Sequence, residues 1–315
     1  MRYDIVDSHL HYTDFRQKTD GFPALMQAMD KAGVSSCVLF GTAMSKQWSE
    51  GVREAPTYYL SDPSPCYYYS GTDFLLLEDL SRQPKEVRDR VLPFVCGFNP
   101  NDRFAVDQID RLMELYPNTI RGIGELMGRH DDLTSLTYGP APHVDHPAFL
   151  AIYDYAAEKG LPVLVHHNIT KPHMREVLHL HELERALAYN RDCKIIWAHI
   201  GISRYVMVPG LPAIANRLLA ENPNLWIDIS WVVYDYYFLE ECPEEIRADT
   251  TLDDWVELLE RWPKRFLLGT DILGHWDGYP ACVEKYYKLL DRLTPECARA
   301  VCHDNVLGLV KSYDE

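Results

Sequence analysis

The sequence predicts an α/β protein: a (β/α)8 barrel of the TIM type with a segment inserted between its second and third strands. Three observations carry this. Short β-branched runs that are nearly all apolar recur along the chain, as parallel strands buried on both faces require. Amphipathic stretches of helical period lie between them. Eight such repeats in 315 residues suit a barrel of about 250 residues enlarged by insertions. A doubly wound open sheet is the alternative, but no Gly-x-Gly-x-x-Gly turn follows the first strand to support it.

In chain order the predicted strands are Asp4–Asp7, Ser35–Phe40, Arg90–Cys96, Thr119–Glu125, Pro162–His166, Lys194–His199, Asn224–Ser230 and Arg265–Asp271. The predicted helices are Phe104–Leu115, Pro147–Lys159, Leu178–Tyr189, Leu211–Glu221, Leu252–Arg261 and Tyr279–Leu293. The insertion spans about 42–81 and carries Tyr58, Tyr59, Tyr67, Tyr68 and Tyr69. It is too long for a strand-to-helix loop. It reads as a lid over the barrel mouth, as a subunit contact in a homo-oligomer, or as a surface excursion whose tyrosines pack on the body. A second, shorter insertion covers 127–146. No linker, repeat or low-complexity tract divides the chain, so 1–315 is read as one domain.

The net charge of -16 and the pI near 5.2 argue against a nucleic-acid partner and against docking on an anionic membrane. No apolar stretch approaches membrane-spanning length. The first residues lack a basic segment followed by an apolar run, so a cytoplasmic location is expected. The eight cysteines contain no Cys-x-x-Cys pair and read as free thiols of a reducing compartment. The expected partner is a small-molecule substrate.

In such a barrel the active site lies at the C-terminal ends of the strands, so the residues that end each strand matter most. The first strand ends in Asp7-Ser-His9-Leu-His11, the fourth in Gly-Ile-Gly-Glu125, the fifth in His166-His167, the sixth in His199, and the eighth in Thr270-Asp271. On an extended chain, residues two apart point the same way, so His9 and His11 can reach one ion. His179 and His181 have the same spacing but fall in a helical stretch, where two residues turn through about 200°. They are therefore discounted as a pair. Neutral imidazoles with one carboxylate suit zinc and neighbouring first-row ions, and a catalytic ion lowers the pKa of its water toward neutrality. The set chosen as ligands is His9, His11, His166 and Asp271. Asp271 is also the expected proton acceptor; as a mere helix cap it would lack this company. His166 is preferred over its neighbour because adjacent strand residues face opposite sides.

His199 is either a ligand of a second ion or an imidazole that polarises substrate and carries a proton. Glu125 bridges two ions, orients a ligating histidine, or forms a structural ion pair. Arg129 and His130 would contact an anionic substrate, unless the Arg129-His130-Asp131-Asp132 string is simply a solvated loop. Ser230 and Trp231 would line the pocket or pack. His275 would touch the leaving group or lie at the surface.

The set Asp7-x-His9-x-His11, Pro162-Val-Leu-Val-His166, Trp197-Ala-His199-x-Gly201, Gly269-Thr270-Asp271 and His303-x-Asn305-Val-Leu-Gly-Leu resembles the amidohydrolase superfamily. It is most similar to the amidohydrolase-related branch of lactonases, other hydrolases and nonoxidative decarboxylases. The resemblance runs nearly the whole chain. It implies a divalent metal, commonly zinc, on His9, His11, His166 and Asp271, with His199 as the sixth-strand histidine. Many two-ion members carry a carboxylated lysine where this sequence has Glu125, which leaves a single ion or a pair bridged by glutamate. The resemblance implies a hydrolase that activates water against an ester, lactone or amide bond. Its alternative is a decarboxylase or hydratase on a small carboxylic acid.

Overall fold

Strands that bury both faces must have their backbone groups paired on both sides, and a ring of parallel strands wrapped in helices does this. The computed structural model describes residues 2–60, 62–130, 133–238 and 250–313. Its central strands are β1 (Ile5–His11), β2 (Val34–Phe40), β3 (Val91–Val95), β4 (Gly122–Met127), β5 (Val163–His166), β6 (Ile195–Ala198), β7 (Leu225–Asp228) and β8 (Phe266–Leu267). Each pairs in parallel with the next. The segment after β8 returns to β1: the Ser8 amide donates to the Leu268 carbonyl at 2.8 Å, and the Asp271 amide to the His9 carbonyl at 2.7 Å. A further short strand, Ile272–Leu273, then runs parallel to the end of β1. The last predicted strand is thus split by residues 268–271. There Gly269 lies so close to β1 that a Cβ would come 2.5 Å from that of His9, and Asp271 takes a left-handed backbone with φ 59°.

A helix follows each strand: α1 (Gly21–Ala32), α2 (Gly71–Ser81), α3 (Ala105–Leu115), α4 (Pro147–Lys159), α5 (Leu180–Tyr189), α6 (Leu211–Glu221), α7 (Leu252–Arg261) and α8 (Tyr279–Lys285). The helix α7 shows how local sequence sets such an element. Thr251 and Asp254 cap its start reciprocally, and Leu252, Trp255, Leu258 and Leu259 form the buried stripe. Two helices were not expected. The first is α1, which buries Phe22, Leu25, Ala28, Met29 and Ala32. The second, α2, lies inside the segment read as an insertion, so the excursion proper ends near residue 70. The excursion contains a small antiparallel ribbon of Met44–Lys46 and Cys66–Tyr68. No helix among the described residues is long and apolar enough to cross a membrane.

Candidate active site

The i, i+2 rule places His9 and His11 of β1 on one side of their strand, and both Nε2 atoms face the same two carboxylates. His11 Nε2 lies 3.0 Å from Asp271 Oδ1 and 3.6 Å from Glu125 Oε2. His9 Nε2 lies 3.3 Å and 3.7 Å from the same two oxygens. The other oxygen of Glu125 faces the far side of the ring, 3.2 Å from His166 Nδ1 and 3.3 Å from His199 Nε2. The cluster therefore forms two trios that share Glu125: one with His9 and His11, the other with His166 and His199. Within each trio the ligating atoms lie within 4.8 Å of one another. Asp271 also groups with His9 and His199. His167 points away and bonds the His179 carbonyl through Nε2 at 3.1 Å; His179 immediately precedes α5 and makes no side-chain capping hydrogen bond.

The outer nitrogens of three histidines are fixed by acceptors. His9 Nδ1 lies 2.5 Å from Asp228 Oδ2, His11 Nδ1 lies 3.0 Å from the Gly41 carbonyl, and His199 Nδ1 lies 2.8 Å from Ser230 Oγ. Ser230 in turn donates to Asp228 Oδ2 at 2.7 Å. With Nδ1 carrying the proton, each Nε2 presents its lone pair to the centre, the arrangement that metal-binding histidines use.

Among the described residues, no Lys or Arg pairs with Glu125 or Asp271. Burial alone would raise both carboxyls, but the surrounding imidazoles hold both well below the usual carboxylate range. Reciprocally, burial opposes a charge on His9, but Asp271, Asp228 and Glu125 outweigh it and lift its pKa well above an ordinary imidazole's. Such a centre suits a bound cation, since buried carboxylates left without a balancing charge are costly. The buried Nε2 atoms of His9 and His166 have no hydrogen-bond partner. The donor set and these unpartnered nitrogens fit a divalent ion better than protons alone.

The backbone around the centre is held in the left-handed region at His199, Ile200, Trp231 and Asp271, with φ of 49–59°. Bulky residues rarely adopt it, and such conformations cluster at functional sites. A cavity opens onto Glu125, His166, His199 and Asp271, and its outer wall includes Trp231 and His130. The His130 ring stacks on His166 with centroids 4.2 Å apart. Arg129 does not face this cavity; it forms a two-point pair with Glu182 at 2.6 and 2.7 Å. Asp131 and Asp132 lie outside the described residues. His275 sits between Asp14 and Asp20, at 3.3 and 3.0 Å. Sequence reasoning did not find Tyr59 or Leu60, which also line the cavity, nor the Gly41 carbonyl. The tyrosine-rich composition of the excursion was the available signal for the first.

The amidohydrolase family profile matches residues 6–307. The chain belongs to the amidohydrolase family. No curated protein matches this amidohydrolase in sequence. Its fold is shared with solved structures of low identity. A zinc-bound amidohydrolase from Burkholderia multivorans superposes with a TM-score of 0.58 at 14% identity, covering 98% of this chain and 99% of that one. Dihydroorotase from Campylobacter jejuni gives 0.59 at 15%, covering 97% and 82%. The 2,6-dihydroxybenzoate decarboxylase from Rhizobium gives 0.60 at 13%, covering 97% and 98%. At such identities the likeness establishes the amidohydrolase barrel and not the reaction.

Proposed function

We propose that this protein is a hydrolase of small esters, lactones or amides whose centre holds two divalent ions, zinc by the chemistry of the ligands. The observation that carries the reading is the position of Glu125, with one oxygen toward His9 and His11 and the other toward His166 and His199. A carboxylate so placed would hold one ion together with His9 and His11 and a second together with His166 and His199. A bound divalent ion makes water a nucleophile near neutral pH and polarises the carbonyl under attack.

The remaining work falls to the chain. Glu125 is 3% exposed at its side chain, whereas Asp271 is 13% exposed, so Asp271 is the more accessible of the two carboxylates that line the cavity. It takes the proton of the attacking water on a carboxylate oxygen. As the carbonyl carbon gains its new bond to that water oxygen and loses its bond to the leaving oxygen or nitrogen, Asp271 hands the proton to the leaving atom. Asp228 and Ser230 hold the His9 and His199 rings in place during this exchange.

Hydrolysis is preferred because Asp271 is placed to move a proton between the attacking water and a leaving atom. Among the described residues around the cavity there is no Lys or Arg, and Arg129 is committed to Glu182. Any substrate carboxylate would have to be held by the bound ions, because the described lining offers no guanidinium or ammonium. The test is a panel of lactones, esters and amides assayed beside aromatic carboxylic acids with the zinc-loaded protein. The reading expects ring opening or acid release. Carbon dioxide release from the acids, with the first group inert, would replace it by the decarboxylase.

A further inference from the structure

The alternation that turns His9 and His11 to one side of β1 turns Asp7 the same way. Asp7 comes two residues earlier, so it lies about 6–7 Å deeper in the barrel. It is fully buried, and among the described residues no Lys, Arg or His pairs with it. A buried carboxylate without a cation is costly unless its lone pairs are filled. Here four donors fill them. Oδ1 accepts the amides of His9 and Thr270 at 3.0 Å each. Oδ2 accepts the hydroxyl of Thr270 at 2.7 Å and that of Tyr279, the first residue of α8, at 2.9 Å.

These donors sit beside the centre. One amide is that of His9 itself, and the other belongs to the residue before Asp271. Along this seam the Ser8 amide pairs with the Leu268 carbonyl and the Asp271 amide with the His9 carbonyl. The Thr270 amide falls between those two main-chain bonds, and Asp7 takes it. The carbonyls of the same stretch are held by tyrosines: the Tyr286 hydroxyl donates to Gly269 at 2.6 Å and the Tyr234 hydroxyl to Thr270 at 3.3 Å. The stretch needs such support. Asp271 keeps a left-handed backbone with φ 59°, which a residue other than glycine holds only where its surroundings over-determine it. A core position that needed bulk alone would be filled at less cost by an apolar side chain.

We infer that Asp7 is a positioning residue of the metal centre: it fixes the turn that aims Asp271 in register with His9, while the hydroxyls of Thr270 and Tyr279 orient its carboxylate. The inference rests on the reading of His9 and Asp271 as ligands.

The test uses the full chain at pH 8, loaded with zinc or with cobalt(II), in wild type, Asp7→Asn, Thr270→Val, Thr270→Ser and Tyr279→Phe. Asparagine keeps the shape of the side chain but replaces one accepting oxygen by a group that only donates. Zinc affinity is measured by competition with a chromophoric chelator. The visible bands of bound cobalt report the geometry of its ligands, and neither reading needs a substrate. Asp7→Asn is expected to weaken zinc binding about 10–100-fold, the range for the outer partners of metal ligands, and to shift the cobalt bands. Thr270→Val and Tyr279→Phe should each cost about two- to tenfold, the range of one hydrogen bond. Thr270→Ser, which keeps the hydroxyl, should match wild type.

Wild-type affinity and unshifted bands in folded Asp7→Asn, whatever its urea midpoint, would make Asp7 a structural residue and overturn the inference. Should Asp7→Asn not fold, Thr270→Val and Tyr279→Phe decide by the same two readings, since each leaves the carboxylate three donors. A wild-type chain that binds neither ion fails the metal reading and the positioning role with it. A wild type that binds while its variants match it fails the positioning role alone.

Discussion

Asp228 Oδ2 lies 2.5 Å from Nδ1 of His9, and the same oxygen accepts the Ser230 hydroxyl that bonds His199. One carboxylate at the end of β7 therefore aims a histidine of each trio. Replacing such outer partners commonly costs about 10–100-fold in metal affinity. Asp228→Asn is expected to weaken zinc binding by that order while leaving the far-ultraviolet circular dichroism unchanged. Competition against a chromophoric chelator measures the affinity, and an unaltered value would show that the rings are held by packing alone.

The pair of His9 and His179 gives a control within one chain. His9→Ala removes a nitrogen that faces Glu125 and Asp271 and should abolish both zinc retention and hydrolysis. His179→Ala changes a side chain outside the centre, at the residue before α5, and should keep both. Dialysis followed by elemental analysis separates the two outcomes, and the reverse pattern would move the centre elsewhere.

Arg129 is expected to be structural. Its guanidinium is partly exposed but pairs with the nearly buried Glu182, so Arg129→Ala leaves a buried carboxylate short of its partner. Losing a fully buried pair costs about 3–5 kcal/mol; solvent access on the arginine side reduces this to about 2 kcal/mol. Urea unfolding should register that loss with the zinc content unchanged. A fall in zinc content with normal stability would return Arg129 to the site.

Asp73 on α2 sets a pH dependence of stability. It accepts the amides of Cys96 and Gly97 at 2.9 Å each, yet burial pushes its carboxyl from 3.8 up to about 6. The folded chain then keeps a proton that the unfolded chain releases. This contribution is complete below pH 3.8 and is lost as pH rises through 6, by on the order of 3 kcal/mol for a shift of about two units. Asp73→Asn cannot ionise. In the presence of chelator, the unfolding free energy of wild type relative to Asp73→Asn should fall by that order between pH 4 and pH 7. A difference independent of pH would mean that folding leaves the Asp73 pKa unshifted.

Much of the barrel was legible because parallel strands buried on both faces leave apolar runs, and because strand ends collect His9, His11, His166, His199 and Asp271 at one end of a ring. What stayed hidden has physical causes. In α2, Leu76, Leu77 and Leu80 are buried while Phe74 and Leu75 are exposed, so no apolar stripe marks the helix. In α1 the stripe exists, but the helix starts at Gly21 without a side-chain cap. The support of His11 comes from the backbone carbonyl of Gly41, which no side-chain pattern can announce. The splitting of the last strand depends on how closely Gly269 approaches His9, a long-range contact. The sharing of Glu125 between two trios depended on which way each of its oxygens faces, which is a property of the closed ring.

The most direct test of the account is the zinc content of the loaded, dialysed protein, wild type beside Glu125→Ala. Two ions per chain in wild type, falling to one or none in the variant, is the predicted result. No retained zinc in wild type, or a content unchanged by Glu125→Ala, would contradict a centre built around that carboxylate.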